Sequence, residues 1–384
     1  MGVDAISLQS LLSGPASLTW ANVLMIGVGL LLIYLAITRE YEPMLLIPIG
    51  MGAVLANIPG AGMGLDLSAI TAGEGSESVF YPLYKAGIET ELFPLLLFIG
   101  IGAMTDFAPL LSNPKMFLVG AAGQFGIFAV LMLALASGMF TLNEAASVGI
   151  IGAIDGPTSI YVSSQLAPHL LAPIAVAAYT YMSLVPIIQP PIMRLMTTKS
   201  ERTIHMPYVE RPVSRRARLL FPIIATLMTG LIVPQASPLI GFLMFGNLMR
   251  ESGVVDRLVK SAANEIANVT TVLLGLTIGA TMMGDSFANV QTLLILILGI
   301  AAFALDTVAG VLFGKVLNVF SGGRFNPLVG AAGISAFPMA ARVVQRVAAE
   351  EDYTNFLLMH AMGANTAGQI ASVLAGGIVL ALLI

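Results

Sequence analysis

Between Thr292 and Phe313 the chain runs for 22 residues with a single charge, Asp306. A helix needs about 20 apolar residues to cross the hydrocarbon of a bilayer, and a run that is apolar on nearly every side has no face to give to water. Val23–Leu35 reads the same way. A β-barrel would show short alternating segments instead. Charged residues make up 10% of the 384 positions and hydrophobic ones 57%, where a soluble domain carries roughly a quarter charged. The sequence predicts an all-α polytopic membrane protein, with the lipid bilayer as its solvent.

With connections, each crossing uses roughly 30 residues, which leaves room for about 10–13. Candidate spans lie at 20–38, 44–58, 92–108, 116–137, 146–163, 170–188, 219–234, 238–250, 269–284, 292–313, 328–345 and 355–384. Several are short or broken by Gly and Pro, so that some are open to a re-entrant reading, and the best count is about 11 transmembrane helices. The first is not a signal peptide, because the first basic residue, Arg39, follows it. The absence of cysteine excludes a disulfide framework and a thiolate metal centre. Three histidines argue against a histidine-rich metal site, and a net charge of −4 argues against nucleic acid.

Seven of the 17 basic residues fall in one connection: Arg194, Lys199, Arg202, Arg211, Arg215, Arg216 and Arg218. The positive-inside bias places it in the cytoplasm. These residues are either topology determinants alone or a docking surface for a soluble partner. The connection divides the chain into 1–193, a linker at 194–218, and 219–384. A second long connection, Gly60–Glu91, carries Glu74, Glu77, Glu89 and Glu91.

The halves echo each other. Val148-Gly149-Ile-Ile-Gly152 with Pro157 matches Val329-Gly330-Ala-Ala-Gly333 with Pro338 at a constant offset of 181. Ile101-Gly102-Ala103 with Asp106 finds an echo in Ile278-Gly279-Ala280 with Asp285. Paired, Gly/Pro-interrupted segments in two halves point to a transporter's central site, where helix ends and free carbonyls can hold ions at membrane depth. Whether the halves are inverted or parallel turns on the span count.

Charges inside a membrane are functional candidates. Asp155 stands in Gly152-Ala-Ile-Asp155-Gly156-Pro157-Thr158-Ser159, where Gly156 and Pro157 prevent a regular helix. A carboxylate beside free carbonyls and two hydroxyls is a hard oxygen site, suited to Na⁺ or H⁺. The second break, Asn326 to Arg342, offers Asn326 and Ser335 as neutral oxygens. Arg342 either holds a carboxylate in bidentate fashion or anchors the interface with Arg346. Tyr179 and Tyr181 are either proton-handling phenols or interface residues. Asn365, after the second break, is an oxygen ligand or a helix-packing residue. Asp306 could face Lys315 or a water cavity; it, Asp106 and Asp285 receive no chemical role.

At these residues the chain resembles the β subunits of biotin-dependent, sodium-pumping decarboxylases acting on oxaloacetate, methylmalonyl-CoA, glutaconyl-CoA or malonate. The resemblance rests on Glu42-Pro-Met-Leu-Leu-Ile-Pro-Ile-Gly50, Phe98-Ile-Gly-Ile-Gly102-Ala-Met-Thr-Asp106, Gly152–Thr158, Tyr181-Met-Ser-Leu-Val-Pro-Ile-Ile-Gln189-Pro-Pro191, Asp306-Thr-Val-Ala-Gly310 and Asn326–Arg342. It implies decarboxylation of carboxybiotin coupled to Na⁺ export, with Na⁺ on Asp155, Asn326, Ser335 and Asn365. It also implies proton handling by Tyr181 or Tyr179, carboxybiotin contact by Arg342, and a second break kept open by Gly330 with Pro338. An elevator-like two-domain architecture and a multi-pass place in the bacterial cytoplasmic (inner) membrane follow from the same resemblance. So do the partners: a biotin carrier, a carboxyltransferase (alpha) subunit, a small membrane (gamma) subunit and further copies of this chain in the complex. The chain contains no Met-Lys pair, so biotin, attached to lysine in a Met-Lys-Met context, must arrive on another chain or domain. The rival is a secondary Na⁺–carboxylate transporter without decarboxylase chemistry. A passive sodium channel suits one deep carboxylate beside paired breaks less well.

Overall fold

The computed structural model describes residues 17–40, 42–207, 212–287 and 289–384, so Arg211 of the basic connection lies outside it. The described residues form helices and no strand. Four helical stretches are long and apolar enough to cross a membrane: Trp20–Arg39, Met116–Ala136, Val290–Phe320 and Leu358–Leu383. Two bent pairs, Tyr81–Glu89 with Leu92–Met104 and Pro168–Met182 with Leu184–Met196, raise the number to as many as six.

Local chemistry sets the ends. Thr19 and Asn22 form a reciprocal capping box at the start of Trp20–Arg39. Pro43 opens Pro43–Ala56, where its missing N–H costs nothing. The two halves interlace. Pro43–Ala56 packs on Ala267–Ala280, and Leu92–Met104 on Ser237–Ser252. Glycines allow both approaches, since a Cβ on Gly52 or Gly279, or on Gly102 or Gly246, would strike the partner backbone. Leu171–Met196 likewise packs on Val290–Phe320, and Leu358–Leu383 on Met116–Ala122.

The two interrupted segments are hairpins. In the first, helix Leu142–Gly149 tightens into a 3₁₀ turn at Ile150–Ala153. Ile154 then takes φ 51°, Asp155 is extended, and helix Gly156–Leu166 begins. His169 Nε2 lies 2.7 Å from Glu144 Oε1, so the segment's two ends meet. In the second, a 3₁₀ stretch over Pro327–Gly333 leads to helix Met339–Glu351. Asn326 and Asn355, at its two ends, donate to the same carbonyls, those of Arg202 and Ile204, at 2.8–3.2 Å. Each segment therefore returns to the face it left. Of the two readings open for the broken candidates, the contacts at their ends favour the re-entrant one for 146–163 and 328–345. Their run lengths suit a crossing, but the broken middle turns the chain back.

The basic connection is tied into the fold. Arg194 pairs with Glu350, Arg202 with Glu351 at 2.7 Å, Lys315 with Glu201 at 3.2 Å and Arg218 with Glu251 at 3.5 Å. Such pairs near a surface contribute little stability, but they mark one face as the linker side. The Gly60–Glu91 connection packs on the fold: Leu65 N–H donates to the Ala280 carbonyl at 2.8 Å, and Leu65, Phe80, Tyr84 and Ile88 are buried.

Candidate functional site

The hairpin tips touch. Ser335 Oγ donates to the Ala153 carbonyl at 2.5 Å. Asp155 caps the Gly156–Leu166 helix at this junction. Its Oδ2 accepts from Thr158 Oγ1 at 2.6 Å and Ser372 Oγ at 3.2 Å, and its Oδ1 from Thr158 N–H at 3.4 Å. The residue is buried, and no basic side chain pairs with it among the described residues. With neutral donors alone, an ionised Asp155 would stand uncompensated, a costly arrangement away from water. Carboxylate, hydroxyl and carbonyl oxygens are the donor set of a small hard cation. No cluster of three His, Cys, Asp or Glu exists among the described residues to hold a heavier metal.

A cavity of about 640 Å³ reaches this point, lined by the exposed Met104 and Asn264 and by the buried Asp155, Tyr179 and Ser335. Its mouth is on the linker side. The Met104 carbonyl accepts from Arg250 at 2.6 Å, and Arg250 adjoins the Glu251 that pairs with Arg218.

Asp155, Pro157, Tyr179, Ser335 and Pro338 all line this cavity. Tyr179 is fully buried with its hydroxyl unpartnered, and its ring fills the space that a Cβ on Gly156 would need. Tyr181 faces elsewhere and donates to the Leu296 carbonyl at 2.5 Å. Asn365 stands behind the second tip; its Nδ2 donates to the Ile334 carbonyl at 2.6 Å and its Oδ1 has no partner. Asn326 lies outside the cavity lining, holding the linker and capping Leu328 N–H at 3.0 Å. Arg342 is exposed, one turn beyond Pro338, and pairs with no acidic side chain among the described residues. Gly330 sits against the Gly310 backbone, where any Cβ would collide.

Sequence reasoning missed Ser372, because a serine in a small-residue helix has no distinguishing spacing. It also missed Gln124 and Gln189, whose amides donate to the Gly333 and Ala331 carbonyls of the second tip at 3.2 and 2.6 Å, each leaving a buried, unpartnered Oε1. Glutamine within an apolar run was the available signal. Asp306 is fully buried. It accepts from Gly126 N–H with one oxygen and leaves the other unpartnered, while Lys315 pairs with Glu201 instead.

The family described as Na⁺-transporting oxaloacetate decarboxylase beta subunit matches residues 21–383. The chain belongs to this family. The methylmalonyl-CoA decarboxylase subunit beta of Veillonella parvula is 51% identical, over 100% of this chain and 99% of its own. The glutaconyl-CoA decarboxylase subunit beta of Acidaminococcus fermentans is 48% identical over the same shares. The oxaloacetate decarboxylase beta chain of Klebsiella pneumoniae is 47% identical, over 97% of this chain and 98% of its own. The family and the apolar helices make this beta subunit a multi-pass membrane protein of Na⁺-transporting decarboxylases, and favour pumping coupled to decarboxylation over the transporter alternative.

Proposed function

We propose that this beta subunit decarboxylates carboxybiotin, delivered by a separate biotin carrier, and uses the reaction to export Na⁺ across the bacterial inner membrane. The observation that carries the reading is the linker-side cavity, which puts an uncompensated carboxylate, Asp155, beside a buried, unpartnered phenol, Tyr179, where two broken segments meet. Na⁺ enters from the cytoplasm and is held by Asp155 with the Thr158 and Ser372 hydroxyls. Loss of CO₂ breaks the carboxyl C–N bond and leaves the electron pair on the biotin ureido nitrogen. The Tyr179 hydroxyl gives that nitrogen its proton and is reprotonated afterwards. Arg342, free at the surface, meets the incoming carboxybiotin. The change of charge in the cavity alters the affinity of the Asp155 site, and a ligand shifts a conformational equilibrium only by such a difference.

Hairpins that open to opposite faces, in halves that interlace, support two repeats of inverted topology at 1–193 and 219–384. The tips they bring together would move as one body in an elevator-like exchange. The carboxyltransferase and small membrane subunits complete the complex, together with further copies of this chain.

The test uses the assembled membrane complex in liposomes with carboxylated carrier. Wild type should release CO₂ faster with Na⁺ and take up radiolabelled Na⁺, and Asp155→Asn should lose both. Sodium-driven uptake of a carboxylate without CO₂ release would reject the reading.

A further inference from the structure

The cavity holds a second carboxylate. Glu42, in the turn before Pro43–Ala56, lines the cavity and takes φ 36°, a left-handed conformation unusual for a side-chain-bearing residue. Its carboxylate has no hydrogen-bond or ion-pair partner among the described residues. No lysine, arginine or histidine is among the residues that line the cavity, so Glu42 and Asp155 share it without a basic partner. Tyr179, whose hydroxyl is buried and unpartnered, lines the same cavity.

The facing wall adds neutral oxygens. Asn264, Asn268 and Thr271 line the same cavity, and their spacing of four and three places them on one helix face. Asn264 spends its Nδ2 on the Lys260 carbonyl at 2.9 Å, which leaves its Oδ1 as the group to offer. Two carboxylates sharing one apolar-walled space repel unless a cation or a proton relieves them. Passage of an ion through such a space favours several weak stations over one tight one.

We infer that Glu42, with Asn264 and Asn268, forms an outer waiting site for Na⁺, from which the ion passes Tyr179 to reach Asp155. The inference rests on the reading of Asp155 as the inner Na⁺ site. It extends the pump by a selectivity and capture step at the cavity mouth. A carboxylate there concentrates the cation, and the amide oxygens begin to replace its water before it reaches membrane depth.

The experiment measures the Na⁺ concentration that half-saturates CO₂ release by the assembled complex, at constant ionic strength set with choline chloride. Glu42→Gln should raise it about tenfold, with the lost rate returning as Na⁺ is increased. Glu42→Asp should restore most of the affinity, which a merely structural role would not predict. Asn268→Asp, which adds a charge to the wall, should lower half-saturation about threefold, and Asn268→Leu should raise it. If Glu42→Gln fails to assemble, the Asn268 pair decides: no shift in either overturns the site. Half-saturation unchanged in Glu42→Gln, with Asp155→Asn inactive, overturns the outer site and leaves the inner one standing. Full Na⁺ stimulation in Asp155→Asn overturns both.

Discussion

Ser335 of the second hairpin donates its hydroxyl to the carbonyl of Ala153 in the first, at 2.5 Å. One side chain thus ties two broken segments, one closed at its base by Glu144 and His169 and the other by the Arg202 and Ile204 carbonyls. Both partners are buried, so removing the donor leaves a carbonyl unsatisfied, at a cost of about 1–3 kcal/mol. Ser335→Ala should lower the unfolding temperature of the detergent-solubilised protein and raise the Na⁺ requirement for CO₂ release. Ser335→Thr should keep most of both. An Ala variant with wild-type stability and Na⁺ response would show that the tips are held together by other contacts.

Ser372 makes a narrower test. Its hydroxyl reaches Asp155 Oδ2 at 3.2 Å, and it also bonds the Gln369 carbonyl of its own helix at 2.9 Å. Ser372→Ala should therefore change stability by only about 1 kcal/mol, while the Na⁺ concentration for half-saturation rises about fivefold. Thr158→Val should do more. The Thr158 hydroxyl, at 2.6 Å, is the shortest polar contact to the carboxylate. Equal Na⁺ dependence in wild type and both variants would remove the hydroxyls from the cation site.

Much of this site can be read in the sequence, because Asp155 combines a charge, an apolar run and a Gly-Pro break within a few residues. The breaks themselves are legible for the same reason. Their return to the starting face is not, since a run long enough to cross looks the same when it turns back. Only the Glu144–His169 contact and the shared bonds of Asn326 and Asn355 reveal it. Ser372 needs the register of Leu358–Leu383 against the first hairpin, which apolar periodicity leaves open. Asn326 reads as a ligand because it opens the second break. In the fold its Nδ2 bonds the linker and its Oδ1 caps Leu328 N–H.

The tyrosines separate by direction. Tyr179 and Tyr181 are two residues apart on one helix and so point to different sides. Tyr179→Phe removes the one phenol facing the cavity and should slow CO₂ release at least tenfold, with a changed pH dependence. Tyr181→Phe removes the phenol's bond to the Leu296 carbonyl, which its own helix continues to satisfy. It should cost about 1–2 kcal/mol in stability and keep the shape of the pH profile. The reverse pattern in pH–rate measurements would move the proton role to Tyr181.

Asn326 donates to the Arg202 and Ile204 carbonyls at 3.0 and 2.8 Å, and Asn355 supports the same two at 3.2 and 3.1 Å. Asn326→Ala should therefore loosen the linker without freeing it. The expected result is faster trypsin cleavage after Arg202, with half-saturation by Na⁺ changed less than twofold. A large shift in Na⁺ dependence with unaltered proteolysis would return Asn326 to the cation site.

The same clasp continues at Asp352, where its pH response can be assigned a sign. The Thr354 hydroxyl and N–H, then His205, hold the Asp352 carboxyl at about 2, below its ordinary 3.8. A carboxyl depressed in the folded protein contributes stability that is present in full above the unfolded value and disappears as pH falls through the folded one. The carboxyl's part of the clasp should thus persist unchanged from pH 7 down to about 4 and fade towards 2. Asp352→Asn should speed hydrogen exchange at residues 203–206 at pH 5–7, by a similar factor across that range. Wild type and variant should converge only as pH approaches 2. Convergence near pH 5 would mean that the carboxyl titrates as an ordinary surface acid and that the Thr354 and His205 bonds do not hold it.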